Sequence, residues 1–424
     1  MSAGRYVYEY VTGDRTPPPP AVPLHDSRFR ATHSAIEHNL VPGGPPEPWA
    51  QDLLRIARAV YLADRSSPRN QAPDRWTRHI ELTVPLLEPD LWRERAGHLL
   101  PGMLEILTSD RWDVRFRGGA TRHKGVQGDM LMPPATEVTL FSGGLDSVTY
   151  AAERARVRDA GPLLLLSYYQ PKLQKRQREL RNALPAGRPI IYRPVLEQIR
   201  GDGQELESSS RSRGLLYLAT GIYVASSHGV TEVTIPENGQ LAVNPPLTAG
   251  RVAAASTRSV HPYFLYLLNT LIESVGGTVR VVNPLLPATK GEVCRRARDA
   301  GLPLEAITNT VSCGRIPRYR RVGHFHCGRC YPCLIRQSGL LNGLGRDDTP
   351  YEVDVWRPDV SRGRREDLLA LHSWLANGYG VRDLVTDLPL PPRTDPYALL
   401  ATISRGREEL RRLFAHHDRP VPAA

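Results

Sequence analysis

The chain has 424 residues and a mass of 47.2 kDa, longer than an ordinary domain, so two or three folded units are expected. Hydrophobic residues make up 41% and charged residues 23%, which excludes wholesale disorder and a fibrous protein. The net charge is +11, yet of the 55 basic residues only Lys124, Lys172, Lys175 and Lys290 are lysines. Acidic residues are interspersed among the arginines and no long basic run occurs, so charge alone names no partner and direct nucleic-acid binding is left open.

The amino terminus, MSAGRYVYEYVTGDR, lacks the basic-then-apolar build of a secretory leader. The longest uncharged apolar stretches, 214–230 and 259–272, fall short of the ~20 residues that span a bilayer. All five cysteines lie between Cys294 and Cys333, where a secreted disulfide protein would scatter them. A cytoplasmic protein with a local metal site and no membrane attachment is expected.

Residues 16–20 (TPPPP) and 41–48 (VPGGPPEP) are extended, turn-rich stretches that wrap a surface in this reading. Leu53, Leu54, Ile56, Ala57, Val60 and Tyr61 recur at helical spacing within 51–64, while Ile80, Leu82 and Val84 alternate as in a strand. Trp112, Val114 and Phe116 form a second strand. Residues 1–130 therefore read as an α+β accessory domain, with the polar stretch 118–128 as a linker.

From residue 136 strands and helices alternate. Short apolar runs at 136–141, 163–168, 189–195, 232–236 and 278–283 read as buried strands. Helices are expected over 147–157, 174–184, 215–226 and 263–274. This pattern predicts an α/β unit, a parallel sheet covered on both faces, over 131–312. Its ligands should lie beyond the carboxyl ends of the strands. A metal-binding subdomain over 313–340 and a helical carboxyl-terminal extension over 341–424, with helices at 367–377 and 396–414, complete the organisation.

The first core strand runs into Ser142-Gly143-Gly144-Leu145-Asp146-Ser147 and then a helix. Two glycines let the backbone turn tightly and point successive N–H groups into one concavity, and the helix amino terminus adds its positive dipole end. An anion is the natural occupant. Ser142 and Ser147 can donate hydroxyls, whereas Asp146 beside a phosphate must hold Mg²⁺ or orient a donor. No GxxxxGK motif occurs, which disfavours a P-loop nucleotidase. Cys313 stands apart from Cys327-Gly328-Arg329-Cys330-Tyr331-Pro332-Cys333. Two overlapping CxxC steps plus one distant thiolate suit a closed, structural, tetrahedral Zn²⁺. Cys294 is left over as a small core residue, and His324 or His326 is the reserve ligand.

These motifs resemble a known family. SGGLDS is similar to the signature of the PP-loop ATP pyrophosphatases, which split ATP into AMP and pyrophosphate and leave an adenylated substrate. Tyr168-Tyr169-Gln170, Arg178-Glu179-Leu180, Asn283-Pro284-Leu285-Leu286 with Lys290, and the cysteines narrow the resemblance to QueC, the 7-cyano-7-deazaguanine synthase family. The resemblance implies a Rossmann-like core, with ATP, Mg²⁺ and Zn²⁺ as cofactors. It implies that Ser142, Asp146, Ser147 and Lys290 are catalytic, that Ser142 to Ser147 and Ser167 bind nucleotide, and that Cys313, Cys327, Cys330 and Cys333 bind zinc. Gln170, Arg213, Glu237, Asn238, Arg258 and His261 are candidate substrate contacts, with Arg315 and Arg336 beside the cysteines.

Departures from that family touch the substrate side. Gly214 follows Arg213 where the family has asparagine, and the segments Pro236-Glu237-Asn238-Gly239 and Ser256-Thr257-Arg258-Ser259-Val260-His261-Pro262 are similar to those of QueC-like proteins of bacterial anti-phage systems, the Qat system in particular. That likeness implies adenylation of a 7-carboxy-7-deazaguanine-type carboxylate and its transfer to an amine, the amine belonging to a partner protein of the same defence operon. It leaves room for a homodimer. A synthase making free 7-cyano-7-deazaguanine for tRNA or DNA modification is the first alternative. A nucleotide-sensing scaffold without chemistry is the second.

Overall fold

The protein is described here by a computed structural model covering residues 4–29, 44–123, 133–169, 171, 173–196, 198–201, 203, 205–248, 258–315 and 325–422. Tyr8 and Tyr10 of β1 (Arg5–Val11) are buried, and β1 lies between β2 (Val22–His25) and β3 (His79–Pro85). Helix α1 (Pro48–Ser66) leads to β3, and α2 (Pro89–Arg95) and α3 (Leu99–Thr108) lead to β4 (Arg111–Arg117). All three pairings are parallel, with Tyr8 opposite Leu82 and Leu82 opposite Val114. The expected α+β domain is thus corrected to a second parallel α/β unit. β2 carries Pro23 within its four residues, and helices intervene between β1 and β3 and between β3 and β4, which fits the parallel pairing of those strands.

The second sheet has the order β7-β6-β5-β8-β9, parallel throughout. It begins with β5 (Glu137–Leu140), α4 (Leu145–Ala155), β6 (Leu163–Tyr169), α5 (Gln174–Asn182) and β7 (Ile190–Leu196). It continues through α6 (Arg213–His228), β8 (Glu232–Thr234), α7 (Gly239–Val243), α8 (Pro262–Ser274) and β9 (Arg280–Val282). Alternate residues of β6 face opposite layers: Leu164 and Leu166 pack with α6 and α8, Leu163 and Leu165 with α4. The second layer is completed by α9 (Lys290–Asp299), followed by α10 (Leu304–Asn309). This is the Rossmann-like core. From β5 the chain crosses first to β6 and later to β8 on the other side, opening a crevice above the strand ends between them.

Helix α11 (Tyr331–Leu344) and the extension helices α12 (Glu366–Ala376), α13 (Val381–Leu384) and α14 (Pro396–His416) close the far side. Among the described residues no helix is long and apolar enough to cross a membrane.

One hydrophobic cluster runs from Tyr8 and Leu82 through Leu54 and Val60 of α1 into Val138, Leu164, Leu215 and Ile222, so the first unit shares its core with the second. A buried ionic network reinforces that junction. Arg78 reaches Asp64 and Asp110 at 2.6 Å each, with all three side chains fully enclosed. Asp64 also accepts from the Ser212 N–H at 3.1 Å and hydroxyl at 2.6 Å, just ahead of α6. The first unit therefore anchors the start of the helix that carries Arg213.

Candidate active site

Gly143 has φ +80°, and a Cβ there would meet Gln177 Cγ at 2.8 Å, so both conformation and space require glycine. Gly144 caps α4, and its N–H donates to Ser142 Oγ at 3.2 Å. Ser142 and Ser147 hydroxyls lie 3.1 Å apart, and Ser147 donates to the Gly144 carbonyl at 3.0 Å. Gln177 of α5 fixes the loop from behind, donating to the carbonyls of Ser142 at 2.7 Å and Tyr168 at 3.0 Å. Val311 N donates to the Gly143 carbonyl at 2.9 Å, tying the loop to the segment that enters the cysteine cluster.

Asp146, in the first turn of α4, points toward two other strand ends. Lys290 Nζ is 2.8 Å from its Oδ1, and Asn238 donates to Oδ2 from its side chain at 2.8 Å and its backbone at 3.2 Å. Burial pushes the Asp146 carboxyl up, but the Lys290 ammonium and these hydrogen bonds hold it below its usual range. Glu237 moves the other way, pushed well up by burial and by the neighbouring Asp146 charge. Asn283 brackets the Glu237 backbone, accepting from its N–H at 3.1 Å and donating to its carbonyl at 2.8 Å.

Ser142, Gly144, Leu145, Asp146, Ser147, Glu237 and Lys290 line one cavity of about 280 Å³ over the strand ends. Gly143 does not line it. Leu241, Asn244, Gly314 and Pro332 are shared with an adjoining cavity of about 510 Å³, lined also by Arg213, Arg315 and Glu366. Arg213 thus faces the second chamber, beside the Tyr217 ring at 6.0 Å. Gly214 has its own reason: a Cβ there would stand 2.0 Å from Ser259 Oγ, so only glycine lets the segment before α8 approach α6.

Several expected contacts lie elsewhere. Ser167 is fully buried below the site and does not line the cavity. Asn238 caps α7 and orients Asp146, which makes it a positioning residue. Arg258 joins Asp387 at 2.7 Å and the Ile106 carbonyl at 3.2 Å, a tie between the first unit and the extension. His261 caps α8, accepting from Tyr263 N at 3.1 Å. Arg336 is fully buried and donates to Thr310, Ile307, Thr308 and Thr349, which fixes the approach to Val311. Gln170 and His324 lie outside the described residues. Gln177 and Val311 escaped the sequence reading, and Asn283 stood in it only as part of a motif, because all three act through backbone groups of neighbours that only folding supplies.

The four expected zinc ligands converge. The Sγ atoms of Cys313, Cys327, Cys330 and Cys333 all lie within 4.8 Å of one another, with Cys313–Cys330 and Cys327–Cys333 at 3.9 Å. A Zn²⁺ bound at about 2.3 Å to four tetrahedral thiolates needs sulfur separations near ~3.8 Å. The residues fit that ion. Gly328, with φ +75°, supplies the turn between the first pair, and Cys313 also lines the smaller cavity. His326 is turned away, accepting from Ser312 N at 3.2 Å. Cys294 is buried in the core with its thiol pushed up to about 12, which leaves it inert.

Comparison with known proteins places this geometry among relatives. Residues 260–343, spanning Lys290 and the cysteines, match the family described as Queuosine biosynthesis protein QueC. The 7-cyano-7-deazaguanine synthases of Brucella ovis and Brucella suis are each 28% identical over 241 residues, covering 53% of this chain and 97% of theirs. That of Rhizobium johnstonii is 25% identical over 241 residues, covering 53% of this chain and 96% of its own. The chain is QueC-like, with almost half its length outside the shared region.

Proposed function

We propose that the protein is an ATP-dependent enzyme that adenylates the carboxylate of a 7-carboxy-7-deazaguanine-type substrate and passes the acyl group to an amine. The observation that carries this reading is the meeting of Lys290, Asp146 and the Ser142 and Ser147 hydroxyls over one cavity at the strand ends. The α4 amino terminus and both hydroxyls bind the β- and γ-phosphates that leave as pyrophosphate. Lys290 offsets charge building on the triphosphate in the transition state. Asp146 and Glu237 are the pair that would hold Mg²⁺, which supplies further positive charge to the phosphates. Cys313, Cys327, Cys330 and Cys333 would hold a structural Zn²⁺, which would fix the 311–314 wall against the loop.

The larger chamber, lined by Arg213 and Arg315, receives the heterocycle. A carboxylate oxygen attacks the α-phosphorus and the bond to pyrophosphate breaks. The amine then attacks the acyl carbon, AMP leaves with the bridging oxygen, and the amine gives up a proton. Holding both reactants in line provides much of the acceleration. No protein nucleophile is required.

The amine in this proposal belongs to a partner protein, in an anti-phage setting. It is supported by the almost half of the chain that lies outside the region shared with the relatives and by Glu366 of the extension lining the larger chamber. Purified protein is incubated with ATP and the carboxylate, with ammonia or with co-expressed candidate partners. Carboxylate-dependent pyrophosphate release and a deazaguanine mass adduct on a partner are expected. Rapid nitrile formation from ammonia without any adduct would favour the free 7-cyano-7-deazaguanine synthase instead.

A further inference from the structure

The carboxyl-terminal helix α14 reaches back onto the turn that carries Lys290. The Glu409 side chain of α14 is buried and accepts from the Gly291 N–H at 3.0 Å and the Thr289 hydroxyl at 2.5 Å. A Cβ on Gly291 would stand 2.4 Å from the Glu409 carboxylate, so the contact requires glycine. Thr289 itself caps α9, accepting from Glu292 N at 3.1 Å, while the Glu292 carboxylate accepts from Thr289 N at 2.9 Å. Lys290 N donates to Gln240 Oε1 at 3.0 Å.

The first N–H groups of a helix have no partner within it. Here those of Thr289, Lys290, Gly291 and Glu292 are all taken, by Glu292, Gln240, Glu409 and Thr289 respectively. This helix end therefore has no free N–H left for a phosphate and presents only the lysine ammonium. Gln240 is in turn seated by α14, where a Cβ on Gly406 would come within 2.3 Å of its amide. From the other side Gly339 of α11 makes room for the Lys290 stem, and Asn342 donates to the Glu409 carbonyl at 2.9 Å.

We propose that Glu409 is a positioning residue for Lys290, through which the carboxyl-terminal extension forms part of the ATP-activating site. This rests on the function proposed above. Glu409 fixes the backbone of the turn, and the turn aims the ammonium at Asp146 and at the phosphates that occupy the cavity.

The full chain is compared as wild type, E409A, E409Q, K290A and K290A/E409A in carboxylate-dependent pyrophosphate release. E409A should lower kcat by about 10- to 100-fold, with KM for ATP changed less than about threefold, and E409Q should recover part of the loss. Added to K290A, E409A should cost nothing further, because its path runs through Lys290. An E409A effect of equal size in both backgrounds, or no loss of kcat, would overturn the proposal. A wild type that releases no pyrophosphate would instead refute the proposed function. Amide hydrogen exchange then decides the positioning role: E409A should open 289–292 and spare 145–155, and unchanged protection at 289–292 would rule it out.

Discussion

Lys290 and Asp146 form an ion pair at 2.8 Å, with side-chain exposures of only 2% and 6%. The pair joins the first turn of α4 to the first turn of α9, the two helices that flank the nucleotide cavity. With the cavity empty each charge neutralises the other.

Removing one partner strands the other. Lys290→Met should cost about 3–5 kcal/mol of stability, because Asp146 remains as an uncompensated buried charge. Pyrophosphate release should fall by ~10² or more, as expected when a transition-state charge contact is lost. The double variant Lys290→Met/Asp146→Asn should recover most of the stability and none of the activity. Denaturant midpoints and steady-state rates on the same preparations check both halves.

The first unit is not a detachable module. Asp64→Ala leaves Arg78 one carboxylate short and removes the acceptor for Ser212 ahead of α6. A loss of about 3 kcal/mol or more is expected in urea unfolding. A chain beginning at residue 131 should be insoluble, because its α6 face would expose the apolar surface that α1 covers.

Metal analysis should find about one zinc per chain, the capacity of a single four-thiolate site. Stripping it with a strong chelator, or replacing Cys330 with serine, should lower the thermal midpoint and abolish pyrophosphate release together. The second effect follows because the wall entering the cluster holds the loop through Val311 N and the Gly143 carbonyl. A chelated protein with full activity would separate the zinc from the site.

Acid should destabilise the fold through two buried histidines. Burial holds His228 and His261 down to about 4, with Arg193 and Arg258 adding to the effect. Each Nδ1 accepts a backbone N–H, from Ala135 and Tyr263 respectively, and is committed to the unprotonated form. Because the folded values lie below the unfolded ~6.5, the stabilisation is complete above pH 6.5 and is lost as pH falls toward 4. About 2–3 kcal/mol each is at stake. Unfolding midpoints across that window should fall, and His261→Asn, which keeps a capping acceptor, should flatten the decline.

The parallel core was legible because its strands are short apolar runs and its loops carry glycine where only glycine works. The SGGLDS residues other than Gly143 line a cavity over the strand ends, and the four cysteines picked out by their spacing converge. Lys290 was found through a resemblance, since nothing in its neighbourhood marks it as the partner of Asp146. The first sheet was misread because β1 and β2 lie beside proline runs. Arg258 and His261 stood out as substrate contacts through the segment they lie in and Arg336 through its place beside the cysteines, but their donors and acceptors serve a cap, an ion pair and backbone and threonine ties. Glu409 left no local signal: its meaning depends on Gly291, which is far away in sequence and adjacent only after folding.

Attack of a substrate carboxylate on the α-phosphorus of ATP is followed by labelling the carboxylate oxygens with oxygen-18. Wild-type protein, supplied with ATP and an amine, should yield AMP carrying one labelled oxygen together with unlabelled pyrophosphate. Unlabelled AMP, or cleavage to ADP and phosphate, would contradict it.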